Sequence, residues 1–94
     1  MNGWKTEVLE PGTLIDRYGS EYGSYFSPYQ TPIDMRALPP SNNMQYNAYK
    51  VVKYINVKSS IIAPAYYKMG YGIQYHFPLD AKSLLEFKII VPLK

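Results

Sequence analysis

Residues 46–57 read Tyr-Asn-Ala-Tyr-Lys-Val-Val-Lys-Tyr-Ile-Asn-Val, and this run decides the fold class. β-Branched and aromatic side chains dominate it. Asn47, Tyr49 and Val51 alternate with Tyr46, Ala48 and Lys50, the period of two that a half-buried strand requires. Tyr46 to Val57 is therefore read as strand. Outward from it, Pro and Gly cut the chain into short pieces. Thr6 to Leu9 reads as a strand closed by a Pro11-Gly12 turn, and Thr13-Leu14-Ile15 as a β-prone run. Residues 16–30 (DRYGSEYGSYFSPYQ), dense in Gly, Ser and Tyr, read as loop. Thr31-Pro32 has the chemistry of a helix N-cap and first helical residue, while Leu38 to Asn43 reads as irregular. Ile61-Ile62-Ala63 reads as a strand ended by Pro64, and Gly72 to Phe77 as one entered through a flexible Gly70-Tyr71-Gly72. Asp80 to Phe87 reads as a short helix with Asp80 as N-cap, and Lys88 to Val91 as a closing strand. The class is α+β: a small β-rich single domain of twisted antiparallel strands, with long loops and one or two short helices.

The composition narrows the chemistry. A length of 94 residues leaves room for one domain, residues 1–94, with a single modest core. Cysteine is absent, which excludes disulfides, thiol nucleophiles and thiolate metal sites; a single histidine, His76, excludes a two-histidine metal motif. The net charge of +3 is mild and spread along the chain, so it makes no strong argument for nucleic acid. No stretch has the 18 or so consecutive apolar residues of a membrane span. Lys5, Glu7 and Glu10 stand where a signal peptide needs an apolar stretch, so export is expected to depend on signals outside this chain.

Three groups of side chains carry candidate chemistry. Arg17 and Arg36 are the only arginines, each beside a Gly- or Pro-rich loop, and the guanidinium fork suits phosphate or carboxylate. The alternative is a pair of structural salt bridges, with Asp16 and Asp34 as partners. Tyr18, Tyr22, Tyr25 and Tyr29 lie in a Gly-Ser-rich segment suited to stacking on flat rings, or to covering the core with amphipathic rings. His76 shares a strand face with Gln74 and is not expected to be catalytic. Ser20, Ser24 and Ser27 lack a partner histidine with a supporting acid, which makes a hydrolase triad a weak reading.

Four blocks then occur in order: Leu14-Ile15-Asp16-Arg17-Tyr18-Gly19-Ser20, Gly23-Ser24-Tyr25-Phe26-Ser27-Pro28, Arg36-Ala37-Leu38-Pro39-Pro40 and Gly70-Tyr71-Gly72-Ile73-Gln74-Tyr75. With the Tyr46 to Val52 strand and Ile62-Ala63-Pro64 between them, the chain resembles the tuberculosis-necrotizing-toxin domain family. These are bacterial NAD(P)+ glycohydrolase domains found at the ends of secreted polymorphic toxins. The resemblance runs over residues 11–75, with residues 1–10 as a lead-in.

The resemblance implies catalytic roles for Gln74, Tyr25 and Arg36, and substrate binding by Arg17, Arg36, Tyr18 and Ser27. Within that set, the two arginines hold the pyrophosphate and Tyr25 lines the nicotinamide-ribose pocket. It implies NAD+ or NADP+ as substrate, no metal or other cofactor, and a cognate immunity protein as partner, with neither nucleic acid nor membrane involved. It also implies a secreted effector that acts as an NADase in the target-cell cytoplasm. The alternatives are a non-catalytic nucleotide-binding module of the same fold and a ribonuclease toxin. Three departures stand out. The family's histidine is absent from Tyr46-Asn47-Ala48-Tyr49, Gln30 stands where Gly is usual, and Tyr66-Tyr67-Lys68-Met69 replaces a Phe-Gly-Gln-Pro-like loop.

Overall fold

The computed structural model describes residues 3–38 and 45–93. Its strands are β1 (Lys5–Leu9), β2 (Leu14–Tyr18), β3 (Tyr25–Pro28), β4 (Tyr46–Val51), β5 (Ile55–Ile61), β6 (Ile73–His76) and β7 (Ile90–Pro92). They form one seven-stranded antiparallel sheet in the order β1-β5-β6-β3-β2-β4-β7. A 3-10 turn spans Ile33–Arg36, and one helix, α1, spans Ala81–Glu86.

Alternation along the strands sends one set of side chains into the core. Ile15, Phe26, Tyr49, Val51, Val57, Tyr75 and Ile90 pack with Phe77 and with Ala81 and Leu84 of α1. Asp80 caps α1, its carboxylate accepting from the Ser83 N–H at 2.9 Å, as the sequence suggested. The opposite face of β2, β3 and β6 carries Asp16, Tyr18, Tyr25, Ser27 and Gln74.

The elements differ from expectation in several places, and Ile61-Ile62-Ala63 is not a separate strand, because Ile61 is the last residue of β5. Residues 46–57 are two strands, because the chain turns at Val52 to Tyr54 without Gly or Pro. The turn is held from outside, where the Val52 N–H donates to the Ile89 carbonyl at 2.8 Å and Lys53 Nζ to the Phe87 carbonyl at 3.2 Å. Residues 16–30 are not all loop: β2 continues to Tyr18, and β3 occupies Tyr25–Pro28. Small and polar residues there still pair, since Asp16 lies opposite Ser27 and Phe26 opposite Tyr75.

Thr31 is not an N-cap. Pro32 holds that position with no side-chain cap, and the Thr31 hydroxyl donates to the Pro28 carbonyl at 2.7 Å. Nor is the Gly70-Tyr71-Gly72 entry loose. The Gly70 N–H donates to the Asp34 carbonyl at 2.9 Å and the Gly72 N–H to the Met35 carbonyl at 3.0 Å. A Cβ on Gly72 would stand 2.8 Å from the Met35 carbonyl oxygen, so the glycine is needed for close backbone packing. Of the irregular stretch Leu38 to Asn43, only Leu38 lies within the described residues.

Candidate active site

A cavity of about 220 Å3 opens where β2, β3 and β6 meet the segment after the 3-10 turn. Arg17, Tyr18, Tyr25, Ser27, Arg36 and Gln74 all line it, joined by Gly23, Phe26, Leu38 and Ile62. The six residues to which the resemblance gives catalytic or binding roles therefore reach one cavity. The tyrosine set divides. Tyr18 and Tyr25 are on the wall, whereas Tyr22 is mostly exposed and Tyr29 lies outside.

The two arginines sit in opposite electrostatic situations. Arg36 is 6% exposed, and its fork already holds a carboxylate: Nη1 lies 2.7 Å from Asp16 Oδ1, and Nη2 donates to Asp16 Oδ2 at 3.0 Å. Its Nε donates to the Thr31 carbonyl at 2.9 Å, so the fork is held from two sides. The structural salt bridge therefore exists for Arg36, with Asp16 and not Asp34 as its partner. The Arg36 guanidinium carbon also stands 5.0 Å from the centre of the Tyr18 ring.

Asp16 is the fully buried hub of this arrangement. Its Oδ2 also accepts from the Gln30 N–H at 2.9 Å and from the Tyr46 hydroxyl at 2.7 Å. Burial and the bond to Asp16 push the Tyr46 phenol up to about 12. Gln30 makes its bond with a φ of 67°, in the left-handed region that favours glycine.

Arg17 pairs with no carboxylate among the described residues. The β2–β3 ladder covers only Ile15–Pro28 and Asp16–Ser27; beyond it, Arg17 Nη1 donates to the Tyr25 carbonyl at 2.6 Å. Its Nε is buried without a partner, and burial pulls the guanidinium below its ordinary value. The group occupies the space that side chains on Gly19 and Gly23 would fill. A half-buried cation on a cavity wall, with its Nε unpartnered among the described residues, has the chemistry that suits an anion.

The remaining wall suits a flat ring and a sugar. Tyr25 stacks on His76 with ring centres 4.4 Å apart, and Trp4 approaches both rings, at 6.3 and 6.2 Å. His76 thus backs a wall residue without lining the cavity itself. Gln74 lies one step along the β3–β6 register, on the same side as Tyr25 and Ser27, and brings an amide able to donate and accept at once. Among the described residues no three His, Asp or Glu side chains gather as a metal site would require, and no helix is long and apolar enough to cross a membrane.

Sequence reasoning missed Asp16 as hub, Tyr46 and Gln30 as its donors, and Gly23 as the space for Arg17. The spacing of Gly19 and Gly23 after Arg17 was the available sign, since two glycines flanking a buried cation leave room for it.

A seven-stranded antiparallel sheet with one short helix and an arginine-lined cavity at its centre defines a small α+β domain. The Tuberculosis necrotizing toxin family model matches residues 8–93, and the chain belongs to that family. It is 37% identical over 87 residues to the conidial surface nicotinamide adenine dinucleotide glycohydrolase of Aspergillus fumigatus, a match covering 84% of this chain and 37% of that protein. Likeness to a fungal surface enzyme carries the comparison beyond the bacterial toxins that the sequence suggested.

Solved structures share the fold, two of them toxin–immunity complexes. One is tuberculosis necrotizing toxin complexed with its immunity factor, with a TM-score of 0.73 at 19% identity, covering 92% of this chain and 54% of that one. The other is Rhs1-CT in complex with its cognate immunity protein, with a TM-score of 0.70 at 14% identity, covering 99% and 79%. The chain thus spans little more than a third of its curated relative and about half of the necrotizing toxin chain.

Proposed function

We propose that this domain hydrolyses the N-glycosidic bond of NAD+, or of NADP+, to release nicotinamide and ADP-ribose or its phosphate. The observation that carries the reading is the single cavity lined by Arg17, a half-buried cation with no carboxylate partner among the described residues, together with Tyr25 and Gln74. Kinship with a protein named as an NAD glycohydrolase supports it.

The chemistry asks little of the protein in acid–base terms. The C1′–N bond breaks with its electron pair leaving on nicotinamide, which departs neutral because the bound pyridinium ring was cationic. The ribose becomes oxocarbenium-like, water adds at C1′, and one proton goes to solvent. Positioning and electrostatics supply most of the barrier lowering in such a step. Arg17 receives the pyrophosphate, and Tyr25 offers its ring to the nicotinamide ribose. The Gln74 amide orients a ribose hydroxyl or the attacking water. Arg36, neutralised by Asp16, contributes N–H donors in a fixed direction and without net charge.

In its biological setting the domain acts as the NAD-depleting part of a larger secreted effector, delivered into the target-cell cytoplasm and held in check by a cognate immunity protein. Solved toxin–immunity complexes of this fold support that partner class. Release of nicotinamide from NAD+ by the purified domain, followed by chromatography beside an RNA substrate, tests the activity. Loss of NAD+ with intact RNA is the expected result.

A further inference from the structure

The catalytic cavity is too small for a whole dinucleotide. At about 220 Å3 it falls below the roughly 300–1,000 Å3 that encloses a drug-sized ligand, and NAD+ is larger than most of those. Such a space suits the nicotinamide riboside end of the substrate and leaves the adenosine half to the rim. The segment between β5 and β6 borders the opening. Ile62, a wall residue, is tied to its far end, since the Ile62 N–H donates to the Gly72 carbonyl at 2.8 Å and the Tyr71 N–H to the Ile62 carbonyl at 2.7 Å. Its tip is closed by the Ala65–Lys68 bridge, which leaves Tyr66 and Tyr67 at the turn. Lys68 Nζ reaches back to the carbonyl of Leu38, another wall residue, at 3.4 Å.

This tip carries an unusual cost. Tyr66 and Tyr67 hold φ of 53° and 58°, positions that suit glycine, and both rings are exposed, Tyr67 completely. No core packing offsets the strain in the free domain. Strained backbone of this kind concentrates at ligand clamps. Lys68, next in the chain, holds its ammonium at the Leu38 carbonyl of the cavity wall, pairs with no carboxylate among the described residues, and complements a phosphate leaving the cavity. Aromatic rings next to a cation form a stacking platform for a nucleobase.

We propose that Tyr66 and Tyr67, with Lys68, form a rim subsite for the adenosine half of the dinucleotide, the rings stacking on adenine while the ammonium faces the pyrophosphate. This rests on the NAD+ reading of the cavity, and its test is separable from that reading. Glycine adopts the φ of both positions, so Tyr66→Gly/Tyr67→Gly removes the rings while leaving the backbone path open. Tyr66→Phe/Tyr67→Phe keeps the stacking faces.

The experiment titrates ADP-ribose, and separately ribose 5-phosphate, into wild type and both double variants by calorimetry, and measures NAD+ turnover on the same samples. The glycine variant should bind ADP-ribose about tenfold more weakly or worse, the loss expected when base stacking is removed. The phenylalanine variant should bind like wild type, and ribose 5-phosphate should not distinguish the three. The glycine variant's KM for NAD+ should rise by the same factor with kcat unchanged. Loop-dependent ADP-ribose binding without any NAD+ hydrolysis would sustain the subsite and overturn the glycohydrolase reading. Full turnover with ADP-ribose affinity and KM indifferent to the glycine substitutions would overturn the subsite alone, as would no measurable ADP-ribose binding by wild type.

Discussion

The Arg36 guanidinium and the Asp16 carboxylate meet end-on, at 2.7 and 3.0 Å, with their side chains only 4% and 0% exposed. Twenty residues separate them in the chain, and their pairing ties the 3-10 turn to β2. The pair also divides the labour of the two arginines. Arg36 holds Asp16, whereas Arg17 keeps a charge that no carboxylate among the described residues neutralises.

That division makes opposite expectations for the same substitution. Arg36→Lys breaks a bidentate buried pair, and the domain should lose about 3–5 kcal/mol of stability. Arg17→Lys should leave the unfolding midpoint nearly unchanged and lower kcat/KM for NAD+ by an order of magnitude or more. Denaturant unfolding and turnover on the same preparations check both. A stable Arg36→Lys, or an Arg17→Lys that loses stability but not activity, contradicts the assignment.

Gly23→Ala offers a gentler way to reach Arg17. A Cβ there would collide with the tip of the Arg17 guanidinium and not with backbone, so the flexible side chain should yield. The variant should fold with a near-native midpoint and show a raised KM for NAD+, imitating the Arg17 substitution. By contrast, Gly72→Ala meets the Met35 carbonyl and should cost about 1–3 kcal/mol, because backbone must move. Thermal unfolding of the two variants side by side distinguishes them.

Tyr46 gives a pH-dependent test. Its folded phenol is raised to about 12, by burial first and by the Asp16 bond second. A raised folded value means the stabilisation is complete below the unfolded value of about 10, and is lost as pH rises through the folded one. Tyr46→Phe should therefore be less stable than wild type by about 1–2 kcal/mol at neutral pH. The gap should narrow between about pH 10 and pH 12, and urea midpoints across that range measure it. A gap that stays constant to pH 12 would show that the phenol does not serve Asp16.

How much of this was legible follows from where the determinants lie. Asp80 announced α1, because an N-cap is read from local sequence alone. The split at Val52 to Tyr54 was hidden, since its causes are Ile89 and Phe87, more than thirty residues away. Gly, Ser and Tyr in residues 16–30 suggested loop, but the strands there are short and held by neighbours across the sheet that propensity does not see. At the site, the residue types were visible from the resemblance, and the cavity gathers them. The choice of Asp16 over Asp34 as the partner of Arg36 was not visible, because it depends on how the 3-10 turn that carries both Asp34 and Arg36 docks on β2, which carries Asp16. Gln30 shows the same limit: its left-handed backbone explains why glycine suits that place, while its bond to Asp16 comes from the main chain and needs no particular side chain.

The most direct test of the account is nicotinamide release from NAD+ by wild type and Gln74→Ala at matched folded concentration. Gln74 lies on β6 with its amide on the cavity wall, and it is the polar group assigned to the reacting centre. Wild type should turn over NAD+, and Gln74→Ala should fall by about a hundredfold or more in kcat with its unfolding midpoint little changed, as when a single transition-state donor is removed. A folded Gln74→Ala with wild-type turnover, or a wild-type domain that leaves NAD+ intact, would contradict it.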